Sequence, residues 1–262
     1  MADALYLPDG DLLVPTELTR GPWWPTAQHG GALAAAIVRA VEATPSSIGG
    51  PMQVVRFTVD IMRPVPLEPM VVRSELTRMG RRVQIVDASL SIGGKEYVRA
   101  RALRMRIADV PVPAWPPSTF TPTDTAAGTV RPRRPDEGPI SFHLDGVEIR
   151  YVTGRWDDEG PATVWMRLRH PIVPDEEPTP TQRVVAAADF GNGLSRLLPF
   201  DTHTFVNPDL TVLLARPPVG EWIGMDAVTW LSDQGIGQAE SLLFDGNGPL
   251  GRAMQSLIVE ER

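Results

Sequence analysis

No cysteine occurs among the 262 residues. That absence removes disulfides, thiolate nucleophiles and cysteine-based metal sites together. Basic charge is also short: 25 Lys and Arg stand against 32 Asp and Glu, for a net charge of −7 and a pI near 5.2. Non-specific binding to nucleic acid needs a basic face, so no nucleic-acid partner is expected. No run of about 18 apolar residues is present, so no helix is expected to span a membrane. The stretch Met1-Ala2-Asp3-Ala4-Leu5 has neither a basic segment nor a long apolar one, so no secretory signal is read there and the expected location is cytoplasmic. A G-x-S-x-G elbow is missing, and with it the geometry of the α/β-hydrolase serine route. His29, His143, His170 and His203 are scattered without H-x-x-x-H spacing, so neither a metal nor another cofactor is expected. Gly246-Asn247-Gly248-Pro249-Leu250-Gly251 has the form G-x-G-x-x-G, but it lies between two strand patterns with Pro249 opening the second. It reads as a hairpin turn, because no helix N-terminus follows to hold a pyrophosphate.

What is present suits a globular protein: 42% hydrophobic and 22% charged residues. The length allows one large domain or two of ordinary size. The most telling stretch runs from His29-Gly30-Gly31 through Ala32-Leu33-Ala34-Ala35-Ala36-Ile37-Val38 to Ala43. Ala and Leu dominate, and no Pro or Gly interrupts it after Gly31, which predicts a helix. Only Arg39 and Glu42 are charged, on one narrow face, so the rest of the circumference is expected to be covered. The two glycines at its start leave backbone N–H groups for an anion or a polarised carbonyl.

Around this helix the chain alternates like strands. Leu5-Tyr6-Leu7 and Leu12-Leu13-Val14 flank the turn composition Pro8-Asp9-Gly10-Asp11, a small hairpin. Trp23 and Trp24, in a Pro-bounded loop, are expected to pack rather than bind a ligand. In 52–62, Val55, Phe57, Val59 and Ile61 fall on one face and Arg56, Thr58 and Asp60 on the other, a half-buried strand. Strands at 70–76, 83–90 and 97–105 follow through short turns, so neighbours should pair antiparallel. One helix and four such strands make an α+β unit. From Ala108 to Pro139 the composition shifts to Pro, Thr, Asp and Arg, which predicts a surface linker whose Arg131, Arg133 and Arg134 are solvated rather than bound to phosphate. Beyond it come strands at 140–152 and 162–168, an Ala-rich helix from Thr181 towards Leu198 carrying Gly191-Asn192-Gly193 in its middle, and strands at 204–215, 222–231, 238–244 and 250–259.

The two halves superpose at one constant offset. Thr58 falls on Thr211, Val59 on Val212, Arg63 on Arg216, Pro64 on Pro217, Gly93 on Gly246 and Arg99 on Arg252, each 153 residues apart. The expected organisation is therefore a tandem repeat: a first unit at 1–109, a linker at 110–138 and a second unit at 139–262. Two such sheets would pair side by side like a homodimer, with a ligand between the copies, and a further homo-oligomer is plausible on the same grounds. The second copy carries polar groups that the first lacks. Asp189 interrupts an apolar helix, Gln255 stands where the first copy has Ala102, and Asn207 and Asp209 break the start of an apolar strand. A buried carboxylate is costly unless it is hydrogen-bonded, so Asp189 is either satisfied structurally or poised for chemistry.

His29-Gly30-Gly31 opening an Ala-rich helix, Arg56-Phe57-Thr58-Val59 running to Arg63-Pro64, and Asp209-Leu210-Thr211-Val212 running to Arg216-Pro217 resemble the acyl-CoA thioesterase II family over both halves of the chain. The resemblance implies a double hotdog fold, in which each curled antiparallel sheet wraps a central helix, and hydrolysis of acyl-CoA to free acid and CoA. It also implies a catalytic set: Asp189 matches the aspartate on the second central helix and Gln255 the glutamine on the last strand. Asn207 stands where the family usually carries Thr or Ser, and it offers both a donor and an acceptor. On this reading Asp189 is a general base, with Asn207 and Gln255 aligning it and the attacking water. His29, Gly30 and Gly31 contact the substrate at a helix N-terminus. Acyl-thioester hydration or dehydration by an Asp/His pair, and non-catalytic acyl-CoA binding, are the alternative expectations.

Overall fold

The computed structural model describes residues 3–46, 48, 50–111, 124, 125, 128–134 and 137–262. It is α+β and mostly antiparallel sheet. The N-terminal hairpin forms as expected, with β1 (Tyr6–Asp9) antiparallel to β2 (Leu12–Pro15). The first helix, α1 (Gly30–Ala43), is buried from Gly31 through Val38 and again at Val41. It is followed by β3 (Met52–Ile61), β4 (Val71–Arg78), β5 (Val83–Ile92) and β6 (Lys95–Arg106). Later come β7 (Thr129–Val130), β8 (Val147–Thr153), β9 (Ala162–Leu168), α2 (Pro180–Ala188), α3 (Gly191–Leu194), β10 (His203–Val206), β11 (Asp209–Leu214), β12 (Ile223–Leu231), β13 (Ile236–Asp245) and β14 (Gly248–Glu261). No helix among the described residues is long and apolar enough to cross a membrane.

Every strand from β3 onward joins one antiparallel sheet in the order β4-β5-β6-β3-β11-β14-β13-β12-β9-β8-β7, with β10 also on β14. The order is mirrored about the junction of β3 and β11. There Thr58 lies directly opposite Thr211, its counterpart at the offset of 153 residues, so the pairing is isologous. Shifted by the same offset, β4, β5 and β6 fall on β12, β13 and β14 to within two residues at either end. The two helices pack on each other inside the curled sheet, and Ala32, Ala35, Val184 and Ala188 belong to one core with Phe57, Val86, Val212 and Leu243.

Local departures from the sequence-based expectations have identifiable causes. In β3 the pairing with β6 slips between Val54 and Arg56, so Val55 is the extra residue of a bulge and Val54, not Val55, joins Phe57 and Val59 in the core. Residues 140–146 are not strand: Phe142–Gly146 form a π-helical turn before β8. The strand expected at 204–215 is cut at Asn207-Pro208, since Pro208 has no N–H for the ladder, leaving β10 and β11 as separate partners of β14. The helix expected to run on towards Leu198 ends at Ala188 and resumes only as the short α3. Part of the expected linker lies outside the described residues. Its end is not merely solvated: Thr129–Val130 add an edge strand to β8, and Arg131, Arg133 and Arg134 pair with Glu137, Asp145 and Asp157.

Candidate active site

The interruption of the second helix builds the site. At the C-cap of α2, Asp189 keeps a helical backbone (φ −74°, ψ −7°), but the chain turns beyond it, which aims its carboxylate across to the first turn of α1. Asp189 is 4% exposed. Asn207 Nδ2 donates to Asp189 Oδ1 at 2.8 Å and to the Asp209 carbonyl at 3.1 Å. Gln255 Nε2 donates to the Asp189 carbonyl at 3.0 Å and lies 3.3 Å from Oδ1, while its Oε1 accepts from the Asn192 N–H at 3.1 Å. The kink at Pro208 and the second-half glutamine thus converge on one carboxylate oxygen. The other oxygen, Oδ2, lies 3.0 Å from His29 Nδ1.

His29 is also the N-cap of α1, with Nδ1 3.0 Å from the Gly31 N–H. A ring nitrogen has a single in-plane hydrogen-bonding direction. Unprotonated, Nδ1 accepts from Gly31; carrying the proton, it donates to Asp189. The proton therefore links the helix cap to the carboxylate. Gly30 is required by closeness: a Cβ there would come within 2.7 Å of Asp189 Oδ2 and 2.8 Å of Oδ1. At Gly31 a Cβ would meet the Ala186 carbonyl at 2.5 Å, so this glycine lets α1 and α2 approach.

Asp189, Asn207, His29 and Gly30 all line a cavity of about 410 Å³, within the range of small-molecule pockets. Gln255 lies behind Asp189 and is not part of that wall. Asp209, also singled out in the sequence, faces elsewhere, its carboxylate accepting from the Ser256 N–H at 2.7 Å. Much of the wall is aromatic. Trp23 and Trp24 belong to it, and Trp23 packs edge-on against Phe205 at 4.8 Å. Phe190 stacks on the His29 ring at 4.6 Å, and His143, Trp156 and Phe200 continue the wall.

Sequence reasoning missed His143 as a wall residue. It lies in the π-helical turn and Trp156 in the turn after β8, so no strand or helix period marks either. Burial, together with the positive charge of Arg131 and Arg133 and any charge on His29, pushes the His143 imidazole down to about 3, so its ring is neutral near neutral pH. Its Nδ1 is buried without a hydrogen-bond partner. Among the described residues no group of three or more His, Asp or Glu side chains is placed to hold a metal ion.

The chain matches the model of the acyl-CoA thioesterase N-terminal domain over residues 20–105 and that of the acyl-CoA thioesterase C-terminal domain over residues 100–259. Comparison with curated protein sequences gives no match. Among solved structures it is similar to a hot dog fold protein of unknown function from Alicyclobacillus acidocaldarius (16% identity, TM-score 0.72, covering 97% of this chain and 94% of that one). It is also similar to a candidate thioesterase from Novosphingobium aromaticivorans (19% identity, TM-score 0.73, 97% and 98% covered). A third similar structure is an acyl-CoA thioesterase II from Mycobacterium marinum (18% identity, TM-score 0.63, 90% of each chain covered). At these identities the likeness establishes the hotdog fold, and the domain matches establish the family. With its second match spanning more than half of its length, the chain belongs to the acyl-CoA thioesterase family.

Proposed function

We propose that this protein hydrolyses acyl-CoA thioesters to a free carboxylic acid and CoA, using water activated by Asp189. The observation that carries the reading is a buried carboxylate in the cavity wall, held by Asn207, Gln255 and His29 at the positive end of α1. Asp189 takes a proton from water as the water oxygen attacks the thioester carbonyl carbon. The carbonyl electrons move onto its oxygen, which faces the first turn of α1 at Gly30 and Gly31, where the helix dipole and backbone N–H groups favour negative charge. Collapse of the tetrahedral intermediate breaks the C–S bond, and the proton on Asp189 passes to the leaving thiolate. Asn207 and Gln255 keep Oδ1 in one orientation, so the base loses little freedom on reaching the transition state. Gln255, outside the cavity wall, is a positioning residue.

The chain is further read as two tandem hotdog units, 1–109 and 139–262, joined by the segment 110–138. The constant offset of 153 residues and the self-complementary pairing of Thr58 with Thr211 support this. On that reading one acyl-CoA site per chain lies between the units, where the start of α1 meets the end of α2.

One observation favours a second reading. The 3.0 Å contact of His29 with Asp189 is also the acid–base pair a hydratase or dehydratase of acyl thioesters would use. Release of free thiol from a panel of short, long and aromatic acyl-CoAs separates the two. A thioesterase releases CoA, whereas a hydratase changes the acyl chain and releases none. Acyl-CoA that raises Tm without either reaction would point to binding alone. Loss of thiol release in Asp189→Asn, with the fold retained, is the expected result; full release in that variant would overturn the assignment.

A further inference from the structure

The two copies of the Arg-Pro motif at the end of β3 and β11 are used differently. In the second half, Arg216 is fully engaged. It donates to Asp245 Oδ1 at 2.6 Å and Oδ2 at 2.8 Å, to the Gly248 carbonyl at 2.8 Å and to the Pro249 carbonyl at 3.1 Å. Asp245 is 0% exposed and also accepts the N–H groups of Asn247 and Val219. Its counterpart in the first half, at the same offset, is Ile92. Arg63 therefore has no carboxylate to grip, and it forms no ion pair among the described residues. It lies instead in the wall of the cavity that holds Asp189. Its guanidinium carbon is 5.5 Å from the centre of the Tyr97 ring, and Lys95 Nζ approaches the same ring at 5.8 Å. Lys95 is likewise without an ion pair among the described residues, while the nearby Glu96 is taken by Arg99 at 2.6 Å. The positions matching Lys95 and Tyr97 in the second half are Gly248 and Leu250, so the pair of cations on a ring exists in one half only.

Two unpaired cations drawn to one ring repel each other, and an anion brought between them relieves that repulsion. The chain carries a net charge of −7, so two cations without an ion pair beside the cavity are a local reversal of sign. Apart from Asp189, Glu260 is the carboxylate in the cavity wall. A fatty acyl group offers nothing to such a site; a phosphate monoester, with about −1.5 to −2 charge near neutral pH, does. We propose that Arg63 and Lys95, ordered by Tyr97, form the subsite for the phosphates of the nucleotide end of CoA, so that the protein selects CoA thioesters over thioesters of pantetheine alone. This inference rests on the thioester-hydrolysis reading and assigns the recognition of the leaving group.

The test compares kcat/KM for one acyl group carried on CoA, on dephospho-CoA, on pantetheine and on an acyl carrier protein, in the wild type, Arg63→Gln, Lys95→Ala and the double variant. The expected result is a fall of about fivefold in the CoA-over-pantetheine preference for each substitution, expressed in KM, and a wild-type preference that shrinks as salt is raised. An unchanged preference in the double variant overturns the subsite. So does an equal loss on the pantetheine thioester, or a loss confined to the carrier-protein thioester. Titration calorimetry with free CoA, with adenosine 3′,5′-bisphosphate as competing probe, keeps this result separate from the hydrolysis reading. CoA bound by the wild type and released by the double variant supports the subsite even where no thioester is cleaved. Hydrolysis with unaltered preference and unaltered CoA binding leaves the hydrolase standing and removes the subsite.

Discussion

The start of each helix lies beside the end of the other, which gives two related contacts with opposite characters. Where α1 begins, the cap is a histidine, the first two residues are glycine, and the facing carboxylate of Asp189 opens on a cavity. Where α2 begins, the cap is Thr179 in a complete capping box with Gln182, the first residue is Pro180, and the facing carboxylate is Glu42. Glu42 Oε2 accepts from Thr179 Oγ1 and from Gln182 Nε2, both at 2.8 Å, and Arg39 holds Glu176 just outside. At the second contact the Thr179 hydroxyl, the Gln182 amide and Glu42 Oε2 are consumed in holding the helices together. At the first, glycine replaces the bulk, and the carboxylate keeps a face toward the cavity. A helix N-terminus next to a carboxylate becomes a candidate site only when something is left out.

The largest effect expected from breaking this comparison is at the carboxylates themselves. Asp189→Asn should lower acyl-CoA turnover at least a thousandfold, the scale of a lost general base, with an unchanged circular dichroism spectrum. Glu42→Gln should leave turnover within about twofold and cost about 1 kcal/mol of stability, read by denaturant melts. Comparable losses of activity in both variants would mean that the second contact also holds a working site.

Next in size is the close approach at Gly30. A methyl group there would fall within 2.9 Å of three carboxyl atoms of Asp189, so Gly30→Ala should displace the base and lower kcat about a hundredfold. Pro180→Ala, at the matching point of α2, should change Tm slightly and kcat not at all. Smaller again are the two donors to Oδ1. Replacing each by its first-half counterpart, Asn207→Val and Gln255→Ala, removes one hydrogen bond to an ionised group, worth about 1.5–3 kcal/mol or roughly tenfold to a hundredfold in kcat. Of the two, Gln255→Ala should be the less damaging to KM, because Gln255 does not line the cavity.

How far the sequence foretold this depends on what kind of signal each element leaves. Strands with alternating burial and an Ala-rich helix announce themselves by period, and the constant offset of 153 residues places β4, β5 and β6 on β12, β13 and β14 from sequence alone. The offset also flagged Gln255, which stands where the other copy has Ala102, while Asn207 stood out as a polar break at the start of an apolar strand. What the period could not carry was the contact of His29 with Asp189, which depends on two helices 150 residues apart running antiparallel. Nor could it carry the wall from His143 to Phe200, built from turns. The bulge at Val55 and the cut at Pro208 were hidden for the same reason: a single extra or missing ladder bond alters register without altering composition.

His143 gives the mildest prediction, because its effect vanishes near neutral pH. In the folded chain its imidazole titrates at about 3, against an ordinary value of 6.5, chiefly because burial disfavours the cation. Between those two pH values the unfolded chain binds a proton that the folded one refuses, so folding stability falls as pH is lowered from about 6.5 towards 3. The carboxylates held low by arginine, such as Glu148 and Asp245, add their own loss only at the acid end of this window. In His143→Phe, which keeps an aromatic ring between His29 and Trp156, the slope of Tm against pH between 6.5 and 4.5 should flatten while Tm at pH 7.5 hardly moves. An undiminished slope would mean that the ring is charged in the folded protein. It would then stand beside His29 as a second proton-carrying group on the open contact, where the closed contact at Glu42 has none.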